Sequence, residues 1–139
     1  MHVSFIDTNI FIYLFDETAP EKRARSQELI HSAIETKNAV ISYQVVQETL
    51  NVITTKLQNP VISEDARLFF QKVLLPLWKM NPSHRLYESA LDIQSRYRYS
   101  FYDSLIIAAA LKTGCTQLIS EDLQAGQQIE KLKIVNPFL

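Results

Sequence analysis

The chain has 139 residues, 47% hydrophobic and 21% charged, a balance that excludes a disordered segment and suits one domain, residues 1–139, around one core. Its net charge of −1 and pI of about 6.3 exclude the strongly basic surface of a non-specific nucleic-acid binder, so any such role must rest on local charge or on bound cations. A single cysteine, Cys115, excludes an internal disulfide, and the two glycines, Gly114 and Gly126, supply no phosphate-cradling loop, dinucleotide fingerprint or nucleophile elbow.

Val3 to Ile6 is a short β-type run ending at the turn- and cap-forming triplet Asp7-Thr8-Asn9, and a helical stretch follows through Ile10 to Phe15. Pro20 opens a longer helix carrying Ala24, Leu29, Ile30, Ala33 and Ile34. Ala39-Val40-Ile41 is a second strand. From Tyr43 to Leu57 a helix sets Val46, Leu50, Ile53 and Leu57 on one stripe, and Pro60 stops it. Ser63 caps a helix over Glu64–Leu75 that Pro76 closes, and Leu77 to Met80 is a third strand. Ser83 to Tyr97 is helical with Leu86, Ala90 and Ile93 inward. Tyr102 to Thr113 is apolar on every face, the mark of a buried helix, and Gly114 is its stop. Leu118-Ile119 and Lys133–Val135 are the last strands. Strands alternating with helices predict an α/β/α sandwich on a mostly parallel sheet.

No basic segment followed by a long apolar run opens the chain, and the run Leu105–Leu111 is too short to cross a bilayer, so the expectation is a cytoplasmic protein without a membrane partner. His2, His31 and His84 make no close metal-ligand pair, which leaves carboxylates to carry any chemistry. Active sites of open parallel sheets gather at the carboxyl ends of the strands. Asp7 follows the first strand and Asp122 the fourth, which brings both to one edge of the sheet. Asp7 is equally an N-cap for the helix after it, and Asp122 a plain residue of a strand-to-helix turn. Asp103 stands in the first turn of the apolar helix, which is expected to be embedded in the core; the helix dipole favours an acid there, yet that turn sits close to the sheet edge and its charge wants a partner that no adjacent lysine or arginine supplies. Glu48 lies at the boundary of its helix's apolar stripe and by pattern alone reads as a solvated glutamate. Carboxylates gathered at one edge repel by about 4 kcal/mol per pair at 4 Å and an effective dielectric of 20, unless protons or divalent cations neutralise them. All-oxygen ligands favour hard ions such as Mg²⁺ or Mn²⁺.

The segments Phe5–Tyr13 (FIDTNIFIY), Ser42–Val52 (SYQVVQETLNV), Ser100–Leu111 (SFYDSLIIAAAL), Leu118–Ile129 (LISEDLQAGQQI) and Lys133–Phe138 (KIVNPF) follow one another as they do in the PIN-domain family. The chain resembles in particular the VapC-type toxins of toxin–antitoxin pairs. Each motif is short, and their ordered set is what carries the resemblance. It implies an α/β/α sandwich and a Mg²⁺- or Mn²⁺-dependent endoribonuclease. Asp7, Glu48, Asp103 and Asp122 match the acidic ligand set, Asn9 and Ser120 the polar positions that orient metal-bound water or ligands, and Asp122 is selected over Glu121. Strand alternation agrees with that choice if the chain stays extended. The resemblance further implies an RNA substrate of the transfer or ribosomal class, a VapB-like antitoxin and a homodimer.

Arg96, Arg98 and Tyr99, with Phe101 and Tyr102 directly before Asp103, suit phosphate contact and base stacking. The alternative is that the arginines complement a helix C-terminus while the aromatics pack inward. A haloacid-dehalogenase-type phosphatase needs Asp-x-Asp after its first strand, and Asn9 stands where its second acid would be. A non-catalytic PIN-like interaction module would lack one or more of the four acids, and all four are present.

Overall fold

In the computed structural model, residues 3–139 are described, and His2 lies outside them. The strands are β1 (Ser4–Ile6), β2 (Ala39–Ser42), β3 (Trp78–Met80), β4 (Gln117–Ile119), β5 (Gln128–Ile129) and β6 (Leu132–Val135). Between them come α1 (Thr8–Ile12), a 3₁₀ turn at Tyr13–Phe15, α2 (Pro20–Thr36), α3 (Tyr43–Thr55) and α4 (Ser63–Phe69). A π turn at Phe70–Leu74, α5 (Leu75–Leu77), α6 (His84–Tyr97) and α7 (Phe101–Lys112) complete the helices. The strand order is β3-β2-β1-β4-β6-β5, parallel except for β5, which pairs antiparallel with β6. The predicted α/β/α sandwich is the fold observed.

Phe5 and Ile6 point to opposite faces of β1 and are both buried, as a strand covered on both sides requires. From β1 the chain steps outward to β2 and β3, then returns through the paired helices α6 and α7 to β4 on the other side of β1. Right-handed crossovers in opposite directions place their helices on opposite faces. They also leave a switch point between β1 and β4, the place where an open parallel sheet offers a crevice.

Three local expectations need correction. Pro76 does not end the helix that begins at Ser63; it sits inside α5. Lacking an N–H, it cannot bond four residues back, and the preceding turn widens so that the Leu75 N–H reaches Phe70 O. Ser63 is no cap, because Ile62 holds that position and no side chain caps the helix. No helix follows β4: the chain bends through Glu121–Leu123 and returns as the hairpin β5–β6, with Glu130 left-handed at its turn (φ 53°). The buried stretch of α7 is as predicted, from Ser104 to Ala110, with Gly114 at φ 77° just beyond its end. No described helix is long and apolar enough to cross a membrane.

Candidate active site

Asp7 ends β1 at the switch point. Its backbone N–H donates to Ile119 O on β4 at 3.0 Å, which carries the sheet one residue further. Its carboxylate is buried and doubly engaged: the Thr8 N–H donates to Oδ1 and the Ser120 hydroxyl to Oδ2, both at 2.7 Å. Asp7 is thus also the N-cap of α1. One turn into α1's neighbour α3, Glu48 Oε1 accepts from Thr8 Oγ1 at 2.7 Å. The resemblance alone had singled out Glu48, because the residue that holds it is forty positions away in sequence.

Asp103 lies in the first turn of α7, whose Ser100 cap accepts from the Asp103 N–H at 3.1 Å. It is half-buried, in keeping with a first turn that sits close to the sheet edge: the buried run of the helix starts one residue later, at Ser104. Asp122 is exposed on the bend after β4, its N–H donating to Ser120 Oγ at 3.3 Å. Asp7, Glu48, Asp103 and Asp122 nonetheless line one cleft of about 390 Å³, together with Asn9, Gln44 and Lys56.

Burial raises the Asp7 carboxyl from 3.8 to about 6, against the lowering effect of the bonds from Ser120 and Thr8; the charges of Glu48 and Asp122 raise it further. A pKa above the unfolded value means that Asp7's contribution to stability is most favourable below about pH 4 and falls as pH rises through 6. At neutral pH the ion-free protein thus carries a cost of about 3 kcal/mol. Asp7→Asn is expected to remove most of that cost, since the amide still accepts from Thr8. Thermal melts with chelator at pH 7.5 should show a gain of about 1–3 kcal/mol; an unchanged or lower melting temperature would contradict it.

Among the described residues, no three His, Cys, Asp or Glu side chains are gathered closely enough to hold one metal ion as they stand. Asp7 is turned onto its hydrogen-bond donors, and the four acids lie apart along the cleft lining. The donor set still fits a hard divalent cation. Every acid in the cleft offers oxygen, neither Asp103 nor Asp122 has a side-chain partner, and the Asn9 amide is buried with neither its nitrogen nor its oxygen bonded.

Glu121 points elsewhere. Its carboxylate accepts from Tyr13 Oη at 2.7 Å and pairs with Lys22 Nζ at 3.0 Å, while Lys22 rests over the rings of Tyr13 and Phe138. Arg96, Arg98 and Tyr99 are not brought to the cleft. Arg96 pairs with Asp92 one turn back, Arg98 takes the left-handed C-cap of α6, and the Tyr99 hydroxyl is bonded to Gln127 Oε1. Lys56, just past the last turn of α3, is the cleft residue that sequence reasoning passed over. A lysine at a helix end is the ordinary complement of the helix dipole, and nothing in its neighbours marks it.

The sequence matches the profile of the PIN domain across residues 4–128. Comparison with curated proteins finds no match. Among solved structures, the chain is similar to a toxin–antitoxin complex from Klebsiella pneumoniae, at 19% identity and a TM-score of 0.68, covering 96% of this chain and 97% of that one. It is similar to VapC20 of Mycobacterium tuberculosis, a sarcin–ricin loop cleaving toxin, at 19% identity and a TM-score of 0.63, with 86% and 89% covered. A third likeness is to VapBC2 from Rickettsia felis bound to a DNA fragment from its promoter, at 16% identity and a TM-score of 0.61, with 95% and 96% covered. At these identities the likeness is one of fold.

Proposed function

The chain belongs to the PIN-domain family, and on that premise we propose that it is a Mg²⁺- or Mn²⁺-dependent endoribonuclease, the toxin of a VapBC-like pair. The observation that carries this reading is the convergence on one cleft of four acids from four separate elements, with the buried Asp7 at the switch point of the sheet. Neighbours of the same fold that cleave the sarcin–ricin loop or occur with an antitoxin support it. The corresponding substrate is RNA of the transfer or ribosomal class in the cytoplasm, and the corresponding partners are a VapB-like antitoxin and a second copy of the chain.

Asp7, Asp103 and Asp122 would hold the ion, with Glu48 reaching it directly or through water and the Asn9 amide orienting that water. When bound, such an ion activates water, polarises the phosphate and stabilises the leaving oxygen. The rest of the work is the chain's own. Thr8 N–H and the Ser120 hydroxyl fix the plane of the Asp7 carboxylate, and Thr8 Oγ1 fixes Glu48 beside it. Ser100 stops α7 where Asp103 meets the rim. Asn9, one turn after β1, cannot serve as a general acid, which leaves no protonated leaving-group partner of the phosphatase kind.

Incubation of purified protein with total RNA should yield discrete fragments in Mg²⁺ or Mn²⁺ and none with chelator; intact RNA under both conditions would sink the reading. Millimolar Mg²⁺ or Mn²⁺ should also raise the melting temperature, because an ion that binds only the folded acids stabilises them by about 2.7 kcal/mol at a hundredfold excess over its Kd. The absence of any shift, with no heat of binding by calorimetry, would count against the ion site itself.

A further inference from the structure

The cleft has two ends that the acids do not account for, and α3 runs between them. Gln44, Glu48 and Val52 recur four apart along α3, and they and its C-cap Lys56 all line the cleft. Gln44 and Lys56 are twelve residue steps apart along the helix, a rise of about 18 Å. At the far end stands Lys56, exposed, its side chain without ion pair or hydrogen bond among the described residues; it is the one cation among those that line the cleft. At the near end, Gln44 Nε2 donates to the carbonyl of Tyr102 at 3.2 Å, which ties α3 to the first turn of α7.

Around that tie lies a shelf of aromatic rings. Tyr102, next to Asp103, is 67% exposed, the largest exposure of any aromatic side chain in the described chain. Phe101 meets it edge-on at 5.8 Å and stacks on Tyr87 at 6.3 Å and 18°. The Tyr87 hydroxyl is in turn 3.1 Å from that of Tyr43, at the start of α3. Phe101, Tyr87 and Tyr43 hold one another in place, and Tyr102 is left with a face open to solvent. That open π-face, next in sequence to Asp103, is a surface on which an unpaired base can stack.

We propose that an unpaired RNA segment tracks along α3, with Tyr102, just outside the cleft lining beside Gln44 and Asp103, stacking a base and Lys56 at the far end of the cleft binding a backbone phosphate. The inference rests on the nuclease reading and deepens it. Unpaired bases expose the π-faces that an aromatic shelf takes, whereas a duplex keeps them stacked inside. The lysine supplies the local positive charge that the chain's net charge of −1 lacks.

The test uses the Asp7→Asn chain, expected not to cleave RNA, and fluorescence anisotropy with a fluorescein-labelled unpaired RNA 12-mer. Tyr102→Ala should weaken binding by about 5-fold or more, with the salt dependence unchanged, and Tyr102→Trp should restore it. Lys56→Ala should weaken binding several-fold and lower the slope of log K against log salt by about 0.7, the signature of one lost single-strand phosphate contact. Annealing the RNA to its complement should abolish the Tyr102 effect. Unchanged affinity in Tyr102→Ala overturns the proposal. So does a loss of dimer on sizing with RNA binding intact, which would assign the shelf to a second copy of the chain. Wild-type protein that cleaves RNA while Tyr102→Ala and Lys56→Ala bind it normally removes the track and leaves the nuclease. The expected binding pattern in a protein that never cleaves RNA keeps the track and removes the nuclease.

Discussion

Asp7→Asn and Asp103→Asn should each lower RNA cleavage by at least about 100-fold, the scale of removing one electrostatic contributor from a preorganised site. Both replacements are isosteric, so the loss is of charge and not of shape. They should differ in the ion-free state. Asp7 is buried and held at about 6, so its amide variant gains stability in chelator while losing activity. Asp103 is half-buried with no side-chain partner, so its amide variant should melt as the wild type does. Activity lost together with stability in Asp7→Asn would make that residue a structural cap of α1 and no more. Full activity in either variant would remove that residue from the site. Circular dichroism and cleavage of one labelled RNA, measured on the same preparations, separate these cases.

Much of the architecture was legible because its signals are local. Phe5-Ile6 before Asp7-Thr8-Asn9, Ser83 before His84 and Gly114 after Lys112 mark their boundaries by residue chemistry alone. What escaped depends on tertiary context. β5 is two residues long and exists because β6 is there to pair with it. Pro76 lies within a helical turn because a π turn before it absorbs the missing hydrogen bond, which no pattern in LLPLW announces. Arg96 and Tyr99 look like a nucleic-acid motif, yet Asp92 and Gln127 engage them. In the site, Asp7 could be placed from strand-end logic. Glu48 could not, because its place is decided by Thr8 on another helix, and Lys56 gave no signal until the cleft showed what it faces.

The sharpest division falls between adjacent acids: Asp122→Asn should cost about 10- to 100-fold in activity at limiting Mg²⁺, and Glu121→Gln a few-fold at most. Strand alternation is no longer the reason. β4 ends at Ile119 and the chain bends after Ser120, so the premise of an extended segment through Asp122 fails. The reason is occupancy. Glu121 is held by Tyr13 and Lys22, and the bonds that Lys22 donates to Glu121 and to the Tyr13 hydroxyl keep its ammonium above its ordinary pKa. To serve the cleft it would have to leave both. Asp122 has no such engagement and already lines the cleft. Raising Mg²⁺ should therefore partly restore Asp122→Asn, whose defect is weaker ion binding, and should not change Glu121→Gln. The neighbour's defect belongs to the fold: Glu121→Gln loosens the clamp between α2 and the bend that carries Ser120 and Asp122, so its melting temperature should drop. If instead Glu121→Gln is inactive and Asp122→Asn retains activity, Glu121 must swing out of its clamp during turnover. The ion site would then be built from the Lys22 side of the bend.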